Sequence, residues 1–260
     1  MHLTRLITCP VVLSLALLAS ADVKVVANVT VTGGPDTGTK KITTAYKGKF
    51  IRTETDKTIS IYDTASQTIT TINKAGKTYN VLSLKDTFTS MPSLMAKLQV
   101  KANASILLKP DQGTIAGLAA KKYAGKATIK ITSEGLPEEN FPTTQIEIEQ
   151  WMTEAVPTTT SMGGALMPMK NFIGPLQHYK GMGPLIDEWS KMKGVPLSSK
   201  VTLTVLSSPN GKTRAQEPIT TTTQVLSVSS APLDESLFRV PEGYTRAAVR
   251  TPKPPNRRAP

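Results

Sequence analysis

Apolar and polar residues alternate with period two through much of this chain. Val23, Val25, Ala27, Val29 and Val31 face one way, and Lys24, Asn28, Thr30 and Thr32 the other, with Val26 the one exception. That pattern predicts a strand with one buried and one mostly solvated face. Residues 46–84 repeat the theme in four short runs, 50–54, 58–62, 68–72 and 78–82, rich in β-branched and aromatic residues. Turn-forming groups separate them: Asp56-Lys57, residues 63–67, and Asn73-Lys74-Ala75-Gly76. Links this short suit antiparallel hairpins, because a parallel pair needs a long crossover.

Further strands are predicted at 41–45, 104–108, 121–132, 145–151, 201–206 and 219–228, with Asn210-Gly211 as a hairpin turn between the last two. Two stretches change to helical spacing. Ser90-Met91-Pro92 opens a short helix carrying Leu94, Met95 and Leu98, with Pro92 in the first turn. Pro184 opens a second, with Leu185, Trp189 and Met192 on one stripe, an Asp187–Lys191 pair, and Gly194 as its end. Ten or eleven strands with two or three helices make one α+β domain over 22–245. Within it, residues 157–184 are the least regular segment, holding four prolines, five glycines and four methionines. Residues 246–260 have five basic residues, no acid and four prolines, the composition of a disordered, extended tail.

The first residues belong to a targeting signal rather than the fold. Arg5 is a basic n-region, 11–18 an apolar h-region, and Ala19-Ser20-Ala21 a small-x-small cleavage site, so residues 1–21 read as a signal peptide cut after Ala21. A membrane-spanning helix needs about 20 apolar residues, more than are present. Cleavage removes Cys9, the sole cysteine, and leaves an exported domain that depends on its apolar core rather than on disulfides. Together these features predict a bacterial periplasmic or secreted protein. The formal charge of +12 is spread along the strands and concentrated in the tail, without aromatic interleaving. In an exported protein such a balance points to anionic lipid or cell-wall polymer rather than nucleic acid.

Chemistry is hard to find in the sequence. His178, in Gln177-His178-Tyr179, is the only histidine beyond the signal region, with no glycine-flanked serine near it and no thiol to activate. No cluster has metal-ligand spacing, and the glycine pairs lack the phosphate-loop pattern. Glu147 and Glu149 share one face of a strand, as on a solvated surface, whereas a glycosidase pair would need to face a cleft, and nothing in the sequence indicates one. No catalytic residue, metal or cofactor is therefore expected. The methionines stand out instead: Met162, Met167, Met169, Met182 and Met192 crowd one region, with Met91 and Met95 earlier. Three readings fit them: core packing, an adaptable apolar lining, and a thioether site at Met167-x-Met169.

The order of these features resembles a family. Phe50-Ile51-Arg52, Ile61-Tyr62-Asp63 and Thr78-Tyr79 look like the N-terminal half of LolA/LolB-type lipoprotein carriers. Ile115-Ala116-Gly117 before Lys122-Tyr123, Trp151-Met152-Thr153-Glu154, and residues 237–244 (LFRVPEGY) are closer to an uncharacterised group of exported bacterial proteins in that superfamily. The resemblance implies a LolA-like fold: a strongly curved antiparallel sheet, an incomplete half-barrel with covering helices, around an apolar cavity for acyl chains. Arg52 matches a strand arginine that lines the carriers' cavity, whereas the tryptophan that commonly follows it there is replaced by Thr53. The resulting expectation is a non-enzymatic binding protein for a hydrophobic small molecule or lipid. Its cavity walls would be Arg52, Met91, Met95, Leu98, Leu185, Trp189 and Met192, with basic residues at the mouth favouring anionic head groups. The alternative is an envelope interaction module that docks on anionic lipid or wall polymer through Arg250, Lys253, Arg257 and Arg258 of the tail.

Overall fold

A computed structural model describes residues 22–35, 37–84, 86, 98–156, 181–207 and 214–247. Residues 1–21, Met91 and Met95, residues 157–180 with His178, Asn210-Gly211 with its predicted turn, and residues 248–260 lie outside them. Two meanders account for nearly all of the described chain. In the first, β1 (Val23–Thr32), β2 (Gly38–Lys47), β3 (Phe50–Glu54), β4 (Thr58–Asp63), β5 (Thr68–Asn73) and β6 (Thr78–Ser83) follow one another as antiparallel neighbours. The second runs through β7 (Leu98–Ile115), β8 (Leu118–Ser133), β9 (Thr143–Thr153), β10 (Val195–Ser207) and β12 (Ile219–Ser229), with two-residue β11 (Arg214–Ala215) beside β10. Antiparallel pairing of β1 with β12 joins the meanders into one curved, unclosed sheet.

The hairpin strands fall within one residue of their sequence-predicted limits because their turns are locally encoded. Asp63 Oδ1 accepts the Ala65 and Ser66 N–H groups, and Asn73 Oδ1 accepts that of Gly76. Each aspartyl or asparaginyl side chain thus closes its own turn. Register shifts at Val26/Ala27, Pro196/Ser198 and Leu108/Gln112 mark bulges, which bend and twist a sheet locally.

Among the described residues helix is scarce: the eight-residue α1 (Gly183–Ser190) and two 3-10 turns, Glu138–Asn140 and Glu235–Phe238, are its complete elements, and most of the helix predicted at 90–98 lies outside the described residues. Among the described residues no helix is long and apolar enough to cross a membrane. Leu98, predicted on a helix, opens β7 instead. Leu98, Val100, Ala102 and Ala104 alternate with Gln99, Lys101 and Asn103, and they pair in register with Ser133 to Ala127 of β8. That period-two pattern prevails over the helical spacing of the residues before it. At the C-terminal end of α1, Lys191 pairs with Glu188 rather than Asp187.

Buried side chains form three clusters. One gathers Val100, Ile106, Tyr123, Ala127, Ile146, Ile148 and Met152 of the second meander under α1. A second surrounds the β1–β12 seam, with Val23, Val25, Ala27, Leu197 and Val225, and with Tyr46 and Ile51 packed against it. The third lies on the other face of the first meander, where Ile59, Ile61 and Ile72 meet Phe50 and Tyr79. Residues 230–247 strap that face: Phe238 stacks on Phe50 with ring centroids 5.9 Å apart, and Val240 and Tyr244 complete the cluster. The strap ends as β13 (Thr245–Arg246), parallel to β6, so Arg246, expected at the head of the tail, belongs to the sheet. Its start is pinned by Asp22, whose carboxylate accepts from Lys47 and from the Leu233 N–H, each at 2.8 Å.

Candidate functional site

Strand β9 organises the site. Ile146, Ile148, Gln150 and Met152 alternate inward and are buried, while Gln145, Glu147 and Glu149 are exposed. Three of the four inward positions are apolar, and Gln150 breaks the pattern. Its side chain is 0% exposed, and neither Oε1 nor Nε2 has a hydrogen-bond partner among the described residues. Cross-strand register places it in a polar row, with Tyr123 of β8 on one side and Ser199 of β10 on the other. Both are buried, and Thr223 of β12 lies beyond Ser199. At the other end, Tyr123 pairs with Leu108 of edge strand β7, which is 57% exposed. A buried polar atom without a partner costs about 1–3 kcal/mol, and a glutamine amide can make four hydrogen bonds.

Helix α1 roofs this face. Pro184 stands in its first turn, where a missing N–H costs nothing, and Leu185 and Trp189 point one turn apart into the cluster. Eight residues are too few for a helix to hold itself in water, so burial of this stripe, with Met182 and Met192 beside it, keeps it folded. The Trp189 indole Nε1 is likewise buried without a partner among the described residues.

Three contacts fix the roof to the sheet. At Gly181 (φ +103°) a Cβ would sit 1.7 Å from the Val100 carbonyl oxygen, and at Gly194 (φ +92°) it would sit 2.1 Å from that of Thr153. Both positions combine left-handed backbone with close approach to a strand, which admits glycine alone. Between them, Glu188 Oε2 accepts the Ile106 N–H of β7 at 2.8 Å. Lys191, the main cause, and this N–H hold the Glu188 carboxyl below its ordinary pKa. The same contact caps a backbone donor on a sheet edge that would otherwise be open to pairing.

The opposite face of these strands is solvated. Lys126 pairs with Glu147 at 2.6 Å and Lys122 with Glu149 at 3.1 Å, along an open groove of about 400 Å³. Lys126 holds Glu147 below the ordinary carboxylate range, the opposite of what a general acid needs.

Of the sequence-predicted cavity residues, the structure brings Leu185, Trp189 and Met192 together in the roofed cluster, with Met152 and Met182. Leu98 is half-buried at the start of β7, outside that cluster. Met91 and Met95 are beyond the described residues. Arg52 belongs to the first meander, abreast of Ala45 and Ile61. Its side chain is 11% exposed and ion-paired with Glu54, which also binds Lys74. It therefore lies on the face of the third cluster, opposite the face that α1 covers, and does not join Leu185, Trp189 and Met192. Sequence reasoning missed Gln150, although a signal existed: it is the polar residue at an apolar beat of the 145–151 alternation.

No family model matches the chain, and no curated protein matches it. Similar solved structures include PNGF-II in two crystal forms, at 12% identity with TM-score 0.36 and 11% with TM-score 0.34. These alignments cover 88% and 87% of this chain but only 31% and 32% of PNGF-II, so the chain spans about a third of that protein. A DUF1329 family protein from Desulfovibrio piger is similar at 10% identity and TM-score 0.31, over 85% of this chain and 90% of that one. Likeness at these TM-scores carries no functional inference for this chain.

Proposed function

We propose that this is an exported, non-enzymatic binding protein of carrier-like architecture that holds a hydrophobic ligand, an acyl chain or lipid, between the curved sheet and α1. The observation that carries the reading is the make-up of the roofed cluster. Among the described residues its roof is one short helix, and Met152, Met182 and Met192 are packed under and beside it. Methionine has three rotatable bonds and a polarizable sulfur, and it repacks around guests of varied shape at little cost. Apolar contact supplies roughly 25 cal/mol per Å² removed from water, and the side chains of the cluster yield space as the roof lifts. The exposed Leu108 and Ile131 extend the apolar surface beyond the roof on strands β7 and β8.

Native mass spectrometry of the detergent-free protein, followed by organic extraction, tests the proposal. A discrete added mass that extracts as lipid is the expected result. An apo mass unchanged after incubation with envelope lipids would overturn it, and the tail-mediated envelope module would then be the better account.

A further inference from the structure

The unpartnered amide of Gln150 lies in the middle of an apolar cluster, in register with two other buried polar residues. A glutamine here is not needed to fill space, because leucine or methionine would fill it without orphan atoms. We propose that the row Tyr123–Gln150–Ser199 anchors the polar head of the ligand, and that this head is neutral and carries both a donor and an acceptor. The inference rests on the binding function proposed above and specifies what is bound.

The chemistry follows from the residues in the row. Gln150 Nε2 can donate to a ligand carbonyl while Oε1 accepts from an N–H or O–H on the same head. This is the reciprocal pair that one carboxamide makes with another. None of the residues abreast of Gln150 is charged: its neighbours are Tyr123 and Ser199, with Thr223 next. A carboxylate or phosphate brought here would be a buried charge without a counter-ion, which proteins do not tolerate. Basic residues at the rim led to the expectation of an anionic head, whereas the buried row selects against one. A single-chain primary amide has this chemistry, and with the roof lifted its hydrocarbon would run along the row towards the exposed Leu108 at the β7 edge.

Dodecanamide, dodecanoate at pH 8 and dodecane are the probes, each titrated against the full mature chain with Trp fluorescence as readout. The expected result is that dodecanamide binds wild type at least tenfold more tightly than dodecane or dodecanoate. In Gln150→Leu, dodecanamide and dodecane should bind alike. The ¹⁵N-labelled side-chain amide of Gln150 should also shift with dodecanamide and not with dodecane, a readout that needs no variant. Equal binding of dodecanamide and dodecane by wild type overturns the anchor while leaving the hydrophobic site intact. So does an amide preference that survives in Gln150→Leu. If none of the three probes binds wild type, the binding function fails and the anchor with it.

Discussion

Replacing Gly194 by alanine tests how α1 is held. The added Cβ would lie 2.1 Å from the Thr153 carbonyl oxygen and 2.6 Å from its carbon. Contacts of Cβ atoms essentially never fall under 3.0 Å, so the backbones must separate by roughly an ångström, at the cost of an overpacked site, about 1–3 kcal/mol. Left-handed backbone at φ +92° adds about 1–2 kcal/mol for a residue with a side chain. Lower entropy of the unfolded chain offsets only about 0.4–1 kcal/mol of this. A net loss of about 2–4 kcal/mol is expected, a large part of the 5–15 kcal/mol typical of a domain. Thr153 pairs with Val195, so the displacement enters the β9–β10 ladder rather than dissipating in a loop. Urea titration followed by Trp fluorescence measures it, and with a slope of about 1–3 kcal/mol/M the midpoint should fall by about 1 M or more. Gly183 is the control: a Cβ there meets nothing within 4 Å, so Gly183→Ala should be neutral or gain up to about 1 kcal/mol from helix propensity. Equal midpoints for the two variants would refute the idea that the roof is pinned at Gly194.

Acid should loosen the strap. Burial pushes the Asp22 carboxyl up, but the Lys47 ammonium and the Leu233 N–H outweigh it and hold the pKa below its ordinary value. A folded pKa below the unfolded one contributes stability that is present above about pH 3.9 and is lost as pH falls through the folded value. Asp22→Asn should therefore be less stable than wild type near neutrality and converge with it as the pH falls through the lowered folded pKa; a gap that stays constant with pH would contradict the assignment. Glu188→Ala removes the acceptor on the Ile106 N–H, so hydrogen exchange at that amide should accelerate several-fold while the Ile148 amide of β9 is unaffected. No change at Ile106 would mean that the contact does not protect the edge.

The first meander was legible because its information is local. Asp63 and Asn73 close their own turns, and β-branched residues fill the strands between. Strand β7 was less so: the predicted strand stops at Leu108, where the register shifts opposite β8, yet the strand runs on through Pro110 to Ile115. Its earlier end was lost to the helical spacing of Met91 and Met95. The pairing of β1 with β12 could not be read at all, since any strand with an apolar face accepts many partners and the choice is made by the whole sheet. For the site, the stripe of Leu185, Trp189 and Met192 was visible in its spacing. Its position over β9 depends on Gly181 and Gly194, whose demands come from the carbonyls they touch and not from their neighbours in sequence.

The seam between the meanders also orders events in time. Hairpins from β2 to β6 can form from residues a few positions apart, as fast local steps. Strand β1, first of the described strands, has one partner nearby in β2, and its other in β12 lies almost the whole domain away. Chain made or threaded from its N-terminus thus carries Val23 to Thr32 with one edge unsatisfied until residues 219–229 arrive. A strand edge waiting that long is open to pairing with other chains. A passenger that binds exposed strands would have its greatest effect in that interval, and truncations before residue 219 should yield a chain prone to self-association rather than a smaller stable protein.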